Sequence, residues 1–153
     1  MPKIVLVNPE IPPNTGNIAR TCAATNTELH LVEPLGFELS DRYLKRAGLD
    51  YWPHVNLQVH PSLDSFCQHQ QRIGGRLLGF TTRSSYSYVK IDYQEEDWLL
   101  FGSESQGLPQ SFLDTCDRTA KIPMPHSSVR SLNLSVSAAI GLFESLRQLG
   151  HLA

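Results

Sequence analysis

Six short apolar runs, separated by segments of helical character, constrain the fold more than any other feature of this chain. The runs cover residues 3–7, 28–32, 55–59, 76–81, 98–101 and 119–122, and each is too short for a helix and lies near Pro, Gly or Asn. Strands that alternate with helices predict an α/β fold, in which a mostly parallel sheet carries helices on both faces. Ligands of such folds bind beyond the carboxyl ends of the strands.

The segments between and after these runs carry helix signals. The predicted helices cover residues 17–25, 41–47, 62–71, 109–116 and 133–149. Asn14 and Thr15 are candidate caps of the first helix, and Gly48 and Gly74 stop the second and third. The last helix carries an apolar stripe at three- and four-residue steps, which predicts one buried face.

Length and composition fit one globular domain. The 153 residues are 41% hydrophobic and 18% charged, which excludes a disordered tail, a fibrous repeat and a coiled coil. No internal repeat or linker interrupts the chain, and residues 83–93, rich in serine and tyrosine, are predicted to be a loop. The formal net charge of -2 does not by itself suggest a nucleic-acid partner, and it disfavours strong non-specific binding of nucleic acid.

The cysteines and the N-terminus bear on metal binding and compartment. Cys22, Cys67 and Cys116 lie far apart, with no histidine at ligand spacing beside them, so we expect no metal site. No signal-peptide pattern and no apolar run long enough to span a membrane is found. We therefore expect a cytoplasmic protein with no membrane partner.

Three polar or glycine-rich clusters follow or flank predicted strands. The first covers residues 8–20, where prolines fix the chain entry, Gly16 permits a tight backbone path and Arg20 is expected about one turn into the helix. An isolated arginine in a helix is more often an ordinary solvated residue. Here Arg20 follows Asn14, Gly16 and Asn17 closely enough to share a rim with them.

The second cluster covers residues 101–109. Leu108 and Pro109 stand where a phosphate-binding loop needs Lys and Ser or Thr, and Gly-x-Ser-x-Gly cannot be placed on Ser103 or Ser105. The loop still offers unshielded backbone groups to a ligand lying close to the chain. Glu104 is either a catalytic carboxylate or a first-turn charge that favours the following helix.

The third cluster covers residues 122–137 and joins a strand to the last helix. Its prolines and apolar residues could line a flat aromatic group, and Ser131, Asn133 and Ser135 exceed what one helix cap needs. His126 is a tempting general base, although a lone loop histidine is more often a surface residue. Since no Gly-x-Gly-x-x-Gly follows the first strand, the spacing indicates a nucleotide-like ligand held by three loops.

In this order and spacing, the three clusters resemble the three motifs of the SPOUT superfamily of S-adenosylmethionine-dependent RNA methyltransferases. Residues 14–20 resemble the first motif, residues 101–109 the second, and residues 122–124 with 131–135 the third. Residues 9–17, 33–37 and 46–51 resemble the small stand-alone branch that 2′-O-methylates the wobble nucleotide, cytidine or uridine 34, of certain leucine tRNAs.

The resemblance covers essentially the whole chain and implies more than the residue pattern does. It implies a deep trefoil knot in the C-terminal half, although knots are nearly absent from known folds. It also implies a homodimer with the sites at its interface. Residues 1–153 would form a single SPOUT domain with no separate RNA-binding domain.

The resemblance also assigns site residues by position. The cofactor pocket would comprise Phe80, Thr81, Gly102, Glu104, Gly107, Ile122, Met124, Ser131, Leu132 and Asn133. Phe80, where close relatives often have Leu, is a larger side chain that could stack on or crowd the adenine. The implied RNA contacts are Asn14, Asn17, Arg42, Lys45, Arg46 and Arg130.

Arg20 is the implied catalytic residue, since the family assigns activation of the 2′-hydroxyl to the arginine of the first motif. A guanidinium is a poor base because it stays protonated. We therefore expect Arg20 to clamp the adjacent phosphate and to stabilise the developing alkoxide, with a phosphate oxygen or water taking the proton. Glu104 and Asn133 are expected to shape the pocket rather than to take part in chemistry.

Three rival functions remain open at this point. One is a non-catalytic RNA-binding module that keeps the fold, and another is 2′-O-methylation at a different RNA site. The third is a small hydrolase acting on a nucleotide-like substrate, for which no Ser/His/Asp order can be defended.

Overall fold

The computed structural model describes residues 1–42, 44, 46, 51–126 and 128–153, and its centre is one parallel sheet. The six strands lie in the order β3-β2-β1-β5-β4-β6, and every neighbouring pair is parallel. The strands are β1 Lys3–Val7, β2 Leu29–Val32, β3 Leu57–His60, β4 Leu77–Phe80, β5 Trp98–Phe101 and β6 Arg118–Ala120. All six predicted strands are confirmed, with ends within two residues of those expected.

Four helices with described bounds cover the sheet. They are α1 Pro12–Thr25, α2 Leu63–Ile73, the short α3 Gln110–Leu113 and α4 Leu134–Gln148. Ser62 caps α2 by accepting a hydrogen bond from the Ser65 amide, and Gly74 follows its end, as the sequence predicts. In the predicted helix 41–47, the described residues 42, 44 and 46 are helical, whereas Gly48 lies outside the described residues.

The first helix begins earlier than its sequence suggests. Pro12 and Pro13 occupy its first turn, where a missing amide donor is not needed, so the helix starts at Pro12 instead of residue 17. The prediction that Asn14 and Thr15 cap this helix is therefore wrong, because both are buried inside it. Gly16 is likewise a buried helical residue and not part of a tight loop.

Strand alternation divides the core into two layers. Ile4 and Leu6 face a layer that includes apolar residues of α1 and α4. Val5 and Val7 face the opposite layer, which includes Phe66 of α2 and residues of α3. The expected α/β architecture, with helices on both faces of a parallel sheet, is confirmed.

The loop between β4 and β5 connects distant parts of the chain. Residues 83–93 form the predicted loop, with one 3₁₀ turn at Tyr88–Lys90. The amide of Tyr88 donates to the Lys121 carbonyl, and the Lys121 amide donates to the Tyr86 carbonyl. The Tyr93 amide donates to the Gln148 side chain, so the loop contacts both the segment after β6 and the end of α4.

Among the helices whose residues are described, none is long and apolar enough to cross a membrane.

Candidate active site

A cleft of about 650 Å³ opens at the carboxyl ends of β4, β5 and β6. It is lined by residues 80–83, 101–107 and 130–134, by Ile122, Met124 and Ser137, and by Ile11 and Asn14 at the start of α1. All ten residues expected to hold the cofactor are among the lining residues. The three sequence clusters therefore meet at one place, which is where an open parallel sheet positions its ligand.

The loop after β5 comes very close to itself at Gly102. A Cβ at this position would lie 2.0 Å from the carbonyl carbon of Gly107 and 2.1 Å from the amide nitrogen of Leu108, so only glycine fits. Gly107 has a φ of +69°, and its amide donates to the Ser103 carbonyl at 2.9 Å. The loop thus forms a compact turn with backbone exposed to the cleft.

Glu104 connects this loop to the start of α1. One carboxylate oxygen accepts from the Glu10 amide at 2.8 Å, and the other accepts from the Ile11 amide at 2.9 Å and from Asn14 Nδ2 at 3.2 Å. Ile11 is the N-cap residue of α1, and its own side chain makes no capping bond. Glu104 therefore supplies its charge to the start of the preceding helix α1, not to the following helix as one of the two readings had it.

Asn14 extends this network to the third cluster. Asn133 Nδ2 donates to Asn14 Oδ1 at 3.0 Å. Asn133 also caps α4, since its Oδ1 accepts from the amides of Ser135 and Val136. A chain of hydrogen bonds, Glu104 to Asn14 to Asn133, thus links all three motif loops across the cleft.

Glu10 makes a second connection that the sequence did not indicate. Its carboxylate accepts from the Ser105 amide at 2.9 Å and from the Ser105 hydroxyl at 2.6 Å. These bonds lower the pKa of Glu10 below its usual value, the hydroxyl contact contributing most. Glu10 and Glu104 thus hold the loop of the second motif against the start of α1 from both sides.

Phe80 lines the cleft but offers little open surface. Its ring stacks on Phe101, with centroids 4.7 Å apart and an interplanar angle of 21°, and the side chain is 7% exposed. A Cβ on Gly141 of α4 would come within 3.0 Å of the same ring. Most of the Phe80 ring therefore packs against β5 and α4, and little of its surface is free to stack on an adenine.

Arg83 lines the rim of the cleft, and the sequence reasoning missed it. Its guanidinium donates to the Leu108 carbonyl and to Gln110 Oε1. Its place directly after Thr81 and Thr82, at the end of a buried strand, is the one signal that would have drawn attention to it. Arg83 fixes the far end of the second motif loop.

Arg20 lies apart from this cleft within the chain. Since α1 begins at Pro12, Arg20 is in its third turn, and not about one turn in as expected. The guanidinium donates to the Tyr51 hydroxyl at 3.2 Å and lies over the Tyr51 ring. Asn14 is buried and lines the cleft. Asn17 is exposed on α1, and neither it nor Arg20 lines the cleft. The expected shared rim is therefore not formed by these residues of a single chain.

Of the candidate RNA contacts that the structure describes, only Asn14 and Arg130 line the cleft. Arg130 is exposed and lines the cleft. Arg42 and Arg46 are exposed, whereas Lys45 lies outside the described residues. His126 is exposed, pairs with the Ser128 hydroxyl at 2.7 Å and is not a lining residue, which agrees with an ordinary surface histidine.

The fold and the cleft agree with comparisons to known proteins. Residues 1–143 match the SpoU rRNA methylase family, and the chain belongs to that family. A Synechocystis sp. protein named "Putative tRNA (cytidine(34)-2'-O)-methyltransferase" is 63% identical over 149 residues, covering 97% of each chain. The methyltransferase class expected from the three motifs is thereby confirmed.

Solved structures give the same result. A structure described as giving insights into the 2-OH methylation of C/U34 on tRNA superimposes with a TM-score of 0.94 at 50% identity, covering 99% of this chain and 97% of that one. An AdoMet-bound rRNA methyltransferase from Sinorhizobium meliloti superimposes with a TM-score of 0.88 at 27% identity, covering 97% of this chain and 56% of that one.

Proposed function

We propose that this protein transfers a methyl group from S-adenosylmethionine to the ribose 2′-hydroxyl of the wobble nucleotide, cytidine or uridine 34, of tRNA. Leucine isoacceptors are the proposed substrates. The observation that carries the proposal is the convergence of all three motif loops on one cleft, in a chain whose similar relatives bear this activity in their names. Because tRNA is the substrate, we also propose that the protein acts in the cytoplasm.

The residues of the cleft fit the proposed cofactor. Gly102 and Gly107 offer backbone to the cleft. A side chain at Gly102 would collide with the backbone of Gly107 and Leu108, and one at Gly107 would be strained by the positive φ. Apolar side chains of Ile122, Met124 and Leu132 line the cleft beside polar groups of Thr81 and Ser131. Such a mixture suits a flat base joined to a polar ribose and amino acid.

We propose that the main catalytic contribution of the protein is to position the ribose 2′-hydroxyl against the methyl group of the cofactor. When bound, the sulfonium cofactor supplies an already activated methyl group. Aligning a hydroxyl for attack is worth on the order of 7–11 kcal/mol in favourable cases, whereas proton removal typically contributes about 100- to 10,000-fold in rate. Glu104 and Asn133 are proposed to shape the pocket, because their polar atoms are already engaged with α1 and α4.

Arg20 is proposed to clamp the phosphate beside the target ribose and to stabilise the developing alkoxide. Arg20 does not line the cleft of its own chain, so the proposal requires a second subunit. A homodimer would bring Arg20 of one subunit to the cleft of the other. The exposed apolar side chains of Val136 and Phe143 on α4 support an interface on that side of the molecule.

The trefoil knot stays a prediction that the resemblance supports. The loop at residues 83–93 contacts Lys121 on one side and Gln148 on the other, as a loop surrounding the C-terminal segment would. We propose one SPOUT domain over residues 1–153 that combines catalysis and RNA binding.

Incubation with total tRNA and a labelled methyl donor, followed by nucleoside mapping, tests the proposal. We expect label in 2′-O-methylcytidine or 2′-O-methyluridine at position 34 of leucine tRNAs. A base-methylated product, a ribose product elsewhere in tRNA, or label in rRNA alone would contradict the wobble assignment. Calorimetry without any S-adenosylmethionine binding would instead favour a non-catalytic RNA-binding module.

The RNA-binding residues have a separate test. Neutralising Lys45 and Arg46 removes two charges that we propose contact phosphates, so tRNA affinity and its salt dependence should both fall. Replacing Arg72, an exposed cation of α2, with Gln is the matched control. An unchanged salt slope in the Lys45 and Arg46 variant would contradict the assignment.

A further inference from the structure

Three histidines converge between α2 and the β3 edge of the sheet, away from the cleft. His30 lies in β2, His60 ends β3, and His69 lies in α2. One ring nitrogen of each lies within 4.8 Å of a ring nitrogen of the other two. Within the described part of the chain, this is the one group of three or more candidate metal ligands that meets this criterion.

Sheet register explains why His30 and His60 meet. His30 pairs with Gln58, and Val32 pairs with His60, so the two histidines are diagonal neighbours on the same face. Helix α2 covers this face and presents His69 to them. Three separate elements, β2, β3 and α2, therefore supply one imidazole each.

The two strand histidines are buried in an aromatic environment. Their rings stack with centroids 5.2 Å apart, and His30 Nδ1 lies 2.9 Å from His60 Nε2. Phe66 contacts both rings edge-on, and Trp98 contacts His30. Burial favours neutral imidazole, which is the form that binds metal ions.

The far nitrogen of His30 has the surroundings of a metal-ligating histidine. His30 Nε2 is buried and makes no hydrogen bond, and Glu28 Oε1 lies 3.7 Å from it. A histidine that binds a metal through one nitrogen usually donates its other N–H to a carboxylate or carbonyl. Glu28 is the carboxylate beside this nitrogen, and a shift of its side chain by less than about 1 Å would bring it within hydrogen-bond distance.

We propose that His30, His60 and His69 form a binding site for a divalent transition-metal ion of the Zn²⁺ type. The ring that donates between His30 Nδ1 and His60 Nε2 would move its proton to its other nitrogen, so that both facing nitrogens bind the ion and no proton is released. Three imidazoles with a water as fourth ligand suit tetrahedral Zn²⁺. The ion would join β2, β3 and α2. This proposal differs from the expectation of no metal site, which was based on the cysteines alone.

The geometry requires a small adjustment. Tetrahedral Zn–N bonds of about 2.0–2.1 Å place ligand nitrogens about 3.4 Å apart. His69 is half-buried on the helix surface, so its ring can move toward the strand pair. Lys3 adds positive charge on this face, with Nζ 4.4 Å from the Trp98 ring centroid, and the Glu28 carboxylate opposes it.

Titration of the full chain, stripped of metal with a chelator, with Co²⁺ and then Zn²⁺ tests this site. We expect the visible absorption of tetrahedral Co²⁺ to saturate at one ion per chain and to disappear on addition of Zn²⁺. His69→Ala should weaken Zn²⁺ binding by more than about 100-fold, and Glu28→Gln by about 10-fold. His54→Ala, which removes an exposed histidine outside the cluster, should change nothing.

Folding is checked independently of binding. His69→Ala without metal should retain the circular dichroism and melting temperature of metal-free wild type, because His69 is the least buried of the three histidines. Zn²⁺ should raise the melting temperature of wild type but not of His69→Ala. The site is refuted if no tetrahedral Co²⁺ spectrum appears, if His69→Ala binds as well as wild type, or if His54→Ala loses binding.

Discussion

The cleft and the histidine cluster, defined as His30, His60 and His69, are built on opposite plans. The cleft consists of loops after β4, β5 and β6, joined by carboxylate and amide bonds such as Glu104 to the Ile11 amide. The cluster consists of side chains on two strands and one helix, with almost no loop involved. A site made of consecutive loop residues leaves a motif in the sequence, whereas a site made by packing leaves isolated residues.

Gly102→Ala should have the largest effect, and it should affect the cleft alone. The new Cβ would lie 2.0 Å from the backbone at Gly107, so the loop must move, and displacement of this order costs about 100-fold or more in rate. S-adenosylmethionine affinity and methyl transfer should both be lost, whereas binding of Co²⁺ at the cluster should persist.

Gly150→Ala is the matched control, because Gly150 has a φ of +80° but open space around the missing Cβ. It should destabilise the fold by about 1 kcal/mol without changing methyl transfer. Normal activity in Gly102→Ala would show that the loop does not need its close contact.

Arg20→Lys should have the next largest effect. Lysine keeps the charge but loses the planar pair of donors, and we expect kcat to fall about 10- to 100-fold with unchanged cofactor affinity. Arg72→Lys on α2 is the control. Full activity in Arg20→Lys would exclude a bidentate clamp, and co-expression of Arg20→Lys with a Gly102→Ala subunit would show which subunit supplies the arginine.

Glu104→Gln should weaken cofactor binding by about 10-fold. A glutamine has only one acceptor oxygen, so its NH₂ group would face the amide of either Glu10 or Ile11. That amide would lose its acceptor, and an unsatisfied donor costs about 1–3 kcal/mol. Calorimetry with S-adenosylmethionine measures the loss, and Glu96→Gln at an exposed position is the control. Normal affinity together with absent turnover would instead make Glu104 a chemical participant.

Glu10 should give a smaller, pH-dependent effect. Its pKa is lowered in the folded protein by the Ser105 hydrogen bonds, so the stability it contributes is present above the unfolded value of 4.5 and is lost as the pH falls through the folded pKa. In urea unfolding, wild type should therefore have a higher free energy of unfolding than Glu10→Gln at pH 7. This difference in free energy should shrink below pH 4.5. A difference that grows on acidification would contradict the carboxylate contact.

Chelation should have the smallest effect on methyl transfer. The cluster and the cleft lie on separate parts of the sheet, so removing metal should leave kcat unchanged while it lowers the melting temperature. Methyl transfer that depends on Zn²⁺ would mean that the two regions are coupled.

The sequence predicted the strands and the cleft because both depend on local patterns. Apolar runs bounded by Gly, Pro or Asn predicted both ends of β1 and β5 correctly. Each of the three polar clusters that follow or flank strands contributes residues to the cleft. Helix α1 was different. Its predicted start at residue 17 overlooked Pro12 and Pro13, which occupy its first turn, and the amide of its N-cap residue Ile11 is satisfied by Glu104, far away in the chain. No local pattern indicates that a cap will come from another loop.

Long-range contacts also explain the other misses. Glu10 accepts a hydrogen bond from Ser105, and Arg83 donates one to Leu108. No sequence pattern indicates either contact. Phe80 lines the cleft as expected, but the stacking of its ring on Phe101 and its closeness to Gly141 could not be read from the sequence. The meeting of His30 and His60 in the histidine cluster depends on the register of β2 against β3, which the sequence pattern does not define.

The bonds from Glu104 through Asn14 to Asn133 have an evolutionary consequence. Each residue satisfies a partner on another loop, so a change at one position alters what the other two must supply. Substitutions at these three positions should therefore be strongly non-additive, with one tolerated only after a compensating change at another. Divergence within this family would then proceed at the cleft through linked replacements, while surface positions drift independently.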